Sequence, residues 1–291
     1  MYRNMLKLDD FTNEEIMDFL YMAKEFKLGN RKVNYNGEKI IANLFFEPST
    51  RTHYSFDMAA LKLGCKTIDF SAETSSLKKG ETLYDTVKVF EVIGANALII
   101  RHNEPEYYKQ LEKINIPIIN GGDGSKDHPT QALLDLFTIQ EEFGEFKGLT
   151  AVIVGDIAHS RVAHSNIRIM ERLGMNVYTS GPKEYSEQNL HFVELDEIIP
   201  KADILMFLRI QNERHEENNL KISTEEYNKK YGLNIERVNM MKEKSIIMHP
   251  APFNRNIEIT DEVIDCPKSR ICNQMENGVY VRMAILNNFL K

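Results

Sequence analysis

Short apolar runs alternate with amphipathic segments along the whole chain. The apolar runs have the length of buried strands, and the segments between them place apolar residues at helical spacing. The first helix is the clearest, because Thr12 and Glu15 have the spacing of a capping box. Behind them, Ile16, Phe19 and Leu20 begin one apolar face. Strands that alternate with helices in this way predict parallel sheets.

The predicted elements follow from where each run begins and ends. Buried strands are predicted at residues 40–46, 97–101, 116–120, within 144–156, and at 175–180, 203–208 and 245–249. Helices are predicted at residues 53–64, 130–143, 160–173 and 274–290. Gly64 is expected to end the 53–64 helix, since a glycine adopts the left-handed conformation that helix ends require.

A charged, glycine-containing segment, GEFKG, precedes a fresh strand and predicts a domain boundary near residues 135–148. A chain of 291 residues is long enough for two domains with separate cores. The expected fold class is therefore α/β, with two domains that each hold a mostly parallel sheet flanked by helices. The pattern leaves open which domain the last helix joins.

Composition excludes several classes of partner. The formal net charge of −7 argues against a nucleic acid or an anionic membrane, so a local basic cluster is expected to bind a small anion. No apolar run is long enough to span a bilayer, and the N-terminus lacks a signal-peptide core, so we expect a cytoplasmic protein. Cys65, Cys266 and Cys272 are scattered, which predicts neither a disulfide framework nor a zinc site.

The stretch FFEPSTRT places hydroxyls and a guanidinium between the end of a predicted strand and the start of a predicted helix. The first amides of a helix lack intrahelical acceptors and attract anions. Ser49, Thr50 and Thr52 add hydroxyl donors, and Arg51 adds a planar fork suited to phosphate. The alternative is a capping hydroxyl beside a solvated arginine.

Two further stretches in the first half carry candidate chemistry. Lys78 and Lys79 lie in a hydroxyl-rich loop, where they are either solvated or ligands of a nearby anion site. In GGDGSKDHPTQALLDL, His128 and Gln131 are three residues apart at a predicted helix start and can reach one spot. His128 could polarise a carbonyl oxygen, whereas the spacing does not suit a metal site. Asp123 is read as a turn residue.

The second half places candidates after strands, where parallel sheets bind ligands. In VIVGDIAHSRVAHSN only Gly155 stands in the turn, so the dinucleotide fingerprint GxGxxG is absent. Arg161 could hold a carboxylate or lie on the surface, and Arg209 and Gln211 follow another strand. In MHPAPFNR two prolines stiffen a loop that either presents its backbone carbonyls or serves as a rigid turn.

Together these stretches resemble one family, the aspartate and ornithine carbamoyltransferases. The resemblance covers nearly the whole chain through FFEPSTRT, KKGETLYDT, HPTQALLDLFTI, GDIAHSRVAHSN, LRIQNER, MHPAPFNR and QMENGVYVRMAIL. Within the family, the chain is similar to the members that act on aspartate. It has HPAP where the ornithine enzymes carry HCLP, and two arginines suit a dicarboxylate and repel a cationic substrate.

The resemblance implies a role for each candidate residue and a domain for each substrate. Residues 1–140, joined by the helix at about 274–291, would bind carbamoyl phosphate, and residues 141–273 would bind aspartate. The implied carbamoyl phosphate ligands are Ser49, Thr50, Arg51, Thr52, Arg101, His128, Gln131, Ala251 and Pro252. The implied aspartate ligands are Lys79, Arg161, Arg209 and Gln211, and the implied catalytic groups are Arg51, Thr52, Lys79, Arg101 and His128.

The resemblance also implies the reaction and the assembly. The amine of L-aspartate would attack carbamoyl phosphate to give N-carbamoyl-L-aspartate and phosphate, a step of pyrimidine biosynthesis that needs no metal and no organic cofactor. The expected partners are these two substrates and two further copies of the chain. In such a homotrimer the loop with Ser76 and Lys79 completes a neighbour's site. His164 departs from the arginine common at its position, which leaves its role open.

Three other functions are weighed against this one. A carbamoyltransferase for ornithine or a related amino acid would differ in the amine that it accepts. A non-catalytic binding module would lack the oxyanion donors, yet Thr52, Arg101 and His128 are present. A dinucleotide-dependent dehydrogenase would need the missing glycine fingerprint.

Overall fold

The computed structural model describes residues 4–210 and 223–290. The chain divides into two compact units. Unit 1 comprises Met1–Phe137 and Met275–Lys291, and unit 2 comprises Thr138–Gln274. Each unit contains one four-stranded parallel sheet with helices packed beside it, which confirms the predicted fold class.

The sheet of unit 1 has the strand order β2-β1-β3-β4. Its strands are β1 (Ile40–Phe45), β2 (Lys66–Ser71), β3 (Ala97–His102) and β4 (Ile118–Asp123). The chain leaves β1 towards β2 on one side and returns with β3 on the other side. The topological switch point, where ligands bind in open parallel sheets, therefore lies between β1 and β3.

Local sequence signals account for the helices of unit 1. They are α1 (Asn13–Lys27), α2 (Thr50–Lys62), α3 (Leu83–Val92), α4 (Pro129–Phe143), which continues into unit 2, and α10 (Ile271–Phe289), which begins in unit 2. Thr12 and Glu15 form the predicted capping box, with Thr12 N–H donating to Glu15 at 2.8 Å. Gly64 follows α2 with φ of 69°, as predicted.

The sheet of unit 2 has the corresponding order, β6-β5-β7-β8, with its switch point between β5 and β7. The strands are β5 (Thr150–Val154), β6 (Asn176–Ser180), β7 (Ile204–Phe207) and β8 (Ile246–Met248). The helices are α5 (Arg161–Arg172), α6 (Leu195–Ile198), α7 (Thr224–Tyr231), α8 (Ile235–Met240) and α9 (Asp261–Ile264). Its core includes Val152, Leu205, Phe207 and Ile247, all fully buried on the strands.

Short 3-10 helices complete the described elements. They are Leu8–Asp10, Ala72–Thr74, Ser76–Lys79, Tyr107–Leu111, Lys183–Tyr185 and Ile199–Lys201. Three sequence predictions were wrong in detail. The helices predicted from residues 53 and 274 begin at Thr50 and Ile271, and the strand predicted at 116–120 runs over Ile118–Asp123. Among the described residues, no helix is both long and apolar enough to cross a membrane.

Candidate active site

Helix α2 begins directly after strand β1 and exposes its first residues. Ser49 occupies the N-cap position with an extended backbone, yet its hydroxyl makes no capping hydrogen bond. Thr50 and Arg51 are exposed, and Ser49 is half-buried. The capping alternative is therefore wrong for Ser49. The first-turn amides, two hydroxyls and a guanidinium stand together where an anion would be favoured.

Thr52 and His128 meet at this helix start although they are far apart in the sequence. Their side chains are only 5% and 4% exposed, and Thr52 Oγ1 lies 3.5 Å from His128 Nε2. His128 immediately precedes Pro129, the first residue of α4, and its carbonyl accepts hydrogen bonds from the amides of Gln131 and Ala132. Proline suits this first helical position because it has no amide to satisfy.

Arg101 reaches the same edge of the sheet from the neighbouring strand. It pairs with Phe45 across β1 and β3, so it flanks the switch point. Its Nε lies 2.7 Å from Glu47 Oε1, and its Nη1 donates to the carbonyl of Gly121 at 3.4 Å. No pattern in the sequence indicates a role for Glu47, whose carboxylate orients the Arg101 fork.

Gln131 is held by a buried carboxylate one turn along α4. Its Nε2 donates to Asp135 Oδ1 at 2.9 Å, and Asp135 is fully buried. This bond fixes the direction of the amide and therefore leaves the other Gln131 donor for a second partner. Thr52, Arg101, His128 and Gln131 all lie in unit 1.

The turn that leads into His128 is organised by Asp123, as its predicted turn role requires. The Asp123 carboxylate accepts hydrogen bonds from Asn120 Nδ2 at 2.8 Å, Glu106 N–H at 2.7 Å and Asp127 N–H at 3.1 Å. Burial, with the Asp127 charge adding to it, raises the pKa of Asp123 to about 6.

Replacing Asp123 is expected to remove one component of the pH dependence of stability. The folded-state pKa of about 6 lies above the usual value of 3.8, so the folded protein holds this proton more tightly. The protonated Asp123 carboxyl therefore stabilises the folded protein fully below the usual pKa, and this stabilisation is lost as the pH rises through 6. The free energy of unfolding in denaturant should therefore fall between pH 5 and pH 7 by more in the wild type than in Asp123→Asn. Equal falls in the two proteins would contradict the assignment.

In unit 2, the turn after β5 closely approaches the end of β7. Gly155 has φ of 131°, and a Cβ on it would lie 3.1 Å from the Leu208 carbonyl oxygen. The single glycine is therefore explained by this close approach. Arg161 begins α5 and is half-buried, and the Ser160 hydroxyl caps that helix by accepting from Ala163 N–H at 3.2 Å.

Arg209 follows β7 at the same switch point, on a loop that a buried carboxylate ties down. Arg209 is half-buried, and the next residue, Ile210, donates its N–H to Glu258 Oε1 at 2.7 Å. Glu258 Oε2 also accepts from Asn254 N–H at 2.7 Å, so Glu258 joins the loop after β7 to the loop after β8. Burial raises the pKa of Glu258. Gln211 lies outside the described residues.

The loop after β8 holds Ala251 in an uncommon conformation. Ala251 has φ of 50° and is joined to Pro252 by a cis peptide bond. Its N–H donates to His249 Nδ1 at 2.9 Å, and His249 N–H donates to Gln274 Oε1 at 2.8 Å. A left-handed alanine is strained and persists only where its surroundings enforce it. The role of these two backbones in ligand binding stays a prediction.

The lysine loop and the atypical histidine both lie at the surface. Lys78 and Lys79 are exposed at the end of the 3-10 helix Ser76–Lys79, and Ser76 is exposed as well. His164 has a partner within unit 2, since its Nε2 lies 3.0 Å from Glu187 Oε1. Position 164 thus carries an ion pair when His164 is protonated.

One group among the described residues has donor atoms close enough to hold a metal ion. His53, Asp57 and Asp69 bring one potential ligand atom each within 4.8 Å of one another. These side chains already bond within the group, with His53 Nε2 2.8 Å from Asp69 Oδ1. Asn43 donates to Asp57 at 2.8 Å and to Asp69 at 3.2 Å. Hydrogen bonding therefore accounts for the arrangement.

Comparisons with known proteins agree over both units. The model of the carbamoyl-P binding domain of aspartate/ornithine carbamoyltransferase matches residues 3–141, and that of the Asp/Orn binding domain matches residues 147–289. The aspartate carbamoyltransferase catalytic subunits of Streptococcus gordonii and Staphylococcus epidermidis are both 50% identical to this chain. The alignments cover 99% of this chain and 96% and 99% of those proteins.

Solved structures give the same result. An aspartate transcarbamoylase from Trypanosoma cruzi, in complex with carbamoyl aspartate and phosphate, has a TM-score of 0.88 at 29% identity. The superposition covers 99% of this chain and 96% of that one. The same protein in complex with N-(phosphonacetyl)-L-aspartic acid also has a TM-score of 0.88. This chain belongs to the aspartate and ornithine carbamoyltransferase family.

Proposed function

We propose that this chain is an aspartate carbamoyltransferase of de novo pyrimidine biosynthesis. It transfers the carbamoyl group of carbamoyl phosphate to the amine of L-aspartate, giving N-carbamoyl-L-aspartate and phosphate. The observation that carries the proposal is the convergence of Thr52 and His128 beside the exposed start of α2. The names of the relatives and the ligands of the solved neighbours support it.

The start of α2 is the proposed phosphate site. Ser49, Thr50 and Thr52 supply hydroxyls, Arg51 supplies a bidentate guanidinium, and the helix N-terminus supplies amides and a positive dipole. Each of these groups lies in a single stretch, Ser49–Thr52. Such a site binds the dianion and continues to stabilise it as the phosphate departs.

The three groups behind this helix start are the proposed oxyanion site. Thr52 and His128 are buried and adjacent, and Arg101 flanks them from β3 with its direction fixed by Glu47. Donors that are buried and fixed in place act strongly on a developing charge, because they need not reorganise during the reaction. Gln131, held by Asp135, is the proposed partner of the carbamoyl amide.

The reaction needs no nucleophile from the protein. The aspartate amine nitrogen forms a bond to the carbamoyl carbon, and the carbonyl electrons move onto oxygen to give a tetrahedral oxyanion. When the carbonyl re-forms, the bond from carbon to the phosphate oxygen breaks, and phosphate leaves with that electron pair. The amine proton passes to the departing phosphate. Catalysis therefore consists of positioning and electrostatic stabilisation.

Two arginines at the switch point of unit 2 are the proposed aspartate ligands. Arg161 follows β5 and Arg209 follows β7, and Gln211 comes two residues later in the sequence. Two guanidinium groups match the two carboxylates of aspartate and oppose the cationic side chain of ornithine. The loop HPAP contains no cysteine, unlike that of the ornithine enzymes.

A comparison of amine substrates tests this function. Purified protein is incubated with carbamoyl phosphate and either L-aspartate or L-ornithine, and the ureido product is measured colorimetrically. We expect product with aspartate and none above the no-enzyme control with ornithine. Product with ornithine alone would assign the chain to the other branch of the family, and product with neither would refute carbamoyl transfer.

We also propose that the active form is a homotrimer in which Lys79 completes a neighbour's site. Tyr54, Met58 and Leu61 form an apolar stripe on α2 and are 64%, 46% and 63% exposed. Large exposed apolar stripes mark interaction surfaces, and this one begins two residues after Thr52. A partner chain seated there would bring its own loops close to the phosphate site.

Mixing two defective chains tests the shared site. Arg51→Ala and Lys79→Ala should each be inactive, because each removes a positive contact to a dianionic substrate. After equal mixing and subunit exchange, each mixed trimer contains one site with both native residues. About a quarter of the wild-type activity should then return, as expected for a cyclic trimer with shared sites.

The control replaces one partner in this mixture. Arg51→Ala chains mixed with chains that carry both Arg51→Ala and Lys79→Ala cannot form a native site in any arrangement. Exchange is followed independently by the mass of the intact oligomers. No recovery in the first mixture, despite proven exchange, would rule out a site shared through Lys79.

A further inference from the structure

Helix α10 carries the stretch QMENGVYVRMAIL, which the proposed reaction leaves without a role. Arg282 lies within it and is only 2% exposed. Arginine is seldom buried to this degree unless it is paired with a carboxylate. A buried arginine close to an anion site therefore calls for a physical explanation.

The Arg282 guanidinium has few and weak partners. Nη1 donates to the carbonyl of Gly278 at 3.1 Å, and Nη2 donates to Thr130 Oγ1 at 3.4 Å. Its Cζ lies 5.0 Å from the centre of the Phe56 ring. Nε is buried without a hydrogen-bond partner. The fold thus buries a positive charge that is only partly compensated.

Arg282 contacts Thr130, which borders the proposed carbamoyl phosphate site. Thr130 lies between His128 and Gln131 at the start of α4. Burial lowers the pKa of Arg282 to about 9, with the Asp135 carboxylate opposing this effect and the Arg101 charge adding to it. Arg282 therefore remains charged at neutral pH, and its field extends to Arg101 and Asp135.

Gly278 provides the room for this guanidinium. It lies inside α10, where alanine would be more stable, yet a Cβ there would lie 2.5 Å from Arg282 Nη1. The same Cβ would lie 3.3 Å from Leu134 of α4, so the two helices are close at this point. Glycine therefore lowers the stability of α10 at the position where the Arg282 guanidinium needs space.

We propose that Arg282 is a positioning residue that raises the affinity of the unit 1 site for the phosphate dianion. It touches no reacting atom. Its charge acts from the Thr130 side of the site, where its Nη2 donates to Thr130 Oγ1 at 3.4 Å. This inference rests on the proposed function, because it requires a phosphate group at the start of α2. Charges in a partly buried site are weakly screened, so a charge that does not touch the phosphate can still affect its binding.

Direct binding of inorganic phosphate, measured by titration calorimetry at pH 7, tests the charge. Arg282→Met removes it and should raise the Kd on the order of 10-fold. Arg282→Lys keeps the charge and should stay close to the wild-type Kd. If Arg282 served only to stabilise the fold, both variants would weaken phosphate binding to a similar extent. Comparable rises in the Kd of the two variants would therefore overturn the proposal.

Arg237 in unit 2 offers a matched control. It is 8% exposed, but its Nε lies 2.7 Å from Asp196, and it donates to the carbonyls of Gly232, Lys229 and Lys230. Arg237→Met breaks these bonds and should lower the Tm more than Arg282→Met does, because Arg282 has fewer bonds to lose. It should leave phosphate affinity unchanged. Arg282→Met should therefore have the larger effect on the Kd for phosphate, and Arg237→Met should have the larger effect on the Tm.

The outcomes separate the two proposals. If the wild type binds phosphate and Arg282→Met binds it with the same Kd, the role of Arg282 is refuted while carbamoyl transfer stands. If Arg282→Met lowers the Tm as much as Arg237→Met, and Arg282→Lys binds phosphate as weakly as Arg282→Met, the residue is structural and the proposal fails. A wild type that does not bind phosphate would overturn both this proposal and the phosphate site on which it rests.

Discussion

Arg51→Ala is expected to lower kcat/KM on the order of 10²–10³-fold, the usual loss when one preorganised group is removed from a developing charge. Arg51 is exposed in the first turn of α2, beside Ser49, whose hydroxyl makes no capping bond. Its guanidinium is the group of this stretch that can neutralise the phosphate and bind it in a bidentate manner. The loss should appear in steady-state kinetics with carbamoyl phosphate varied at saturating aspartate.

Two variants make the Arg51 result specific. Arg51→Lys keeps the charge but loses the planar fork, so it should be intermediate. Lys62→Ala removes an exposed cation from the last turn of the same helix and should be close to the wild type. A near-normal kcat/KM for Arg51→Ala would refute the phosphate site at the start of α2.

His128→Ala is expected to lower kcat on the order of 10²–10³-fold while weakening aspartate binding much less. The imidazole is buried, its Nε2 lies 3.5 Å from Thr52 Oγ1, and it lies in unit 1. A donor to the oxyanion acts mainly in the transition state, so its loss is expected in kcat. His191→Ala, which removes an exposed histidine, is the control and should have wild-type kinetics.

The role of His128 can also be checked chemically. As a donor, it forms no bond to the carbamoyl carbon. Enzyme quenched during turnover and digested should carry no carbamoyl group on the peptide that contains His128. A mass increase on that residue would contradict direct transfer between the substrates.

The sequence predicts the elements of unit 1 well where local chemistry decides them. The capping box of Thr12 and the glycine after α2 are examples, and the structure confirms both. Strand β2 was missed because Lys66–Ser71 contains no fully buried residue and therefore lacks an apolar run. Its partner β1 is buried over most of its length and was found.

The residues that hold the candidate site together are harder to predict than those that line it. Glu47 reaches Arg101 because β1 and β3 are neighbours in the sheet. A local sequence pattern does not predict the order of strands in a sheet. Glu258 joins two loops, yet it follows Ile210 by 48 residues. The left-handed Ala251 is likewise imposed by contacts with His249. Tertiary contacts that span long separations decide these features.

The most direct measurement of the central claim follows the carbamoyl carbon itself. Protein is incubated with [¹³C]carbamoyl phosphate and L-aspartate, and ¹³C NMR spectra are recorded alongside an assay of released phosphate. We expect the label in N-carbamoyl-L-aspartate, with one phosphate released for each product formed. Label that appears only in carbonate from hydrolysis, or that remains in carbamoyl phosphate, would contradict it.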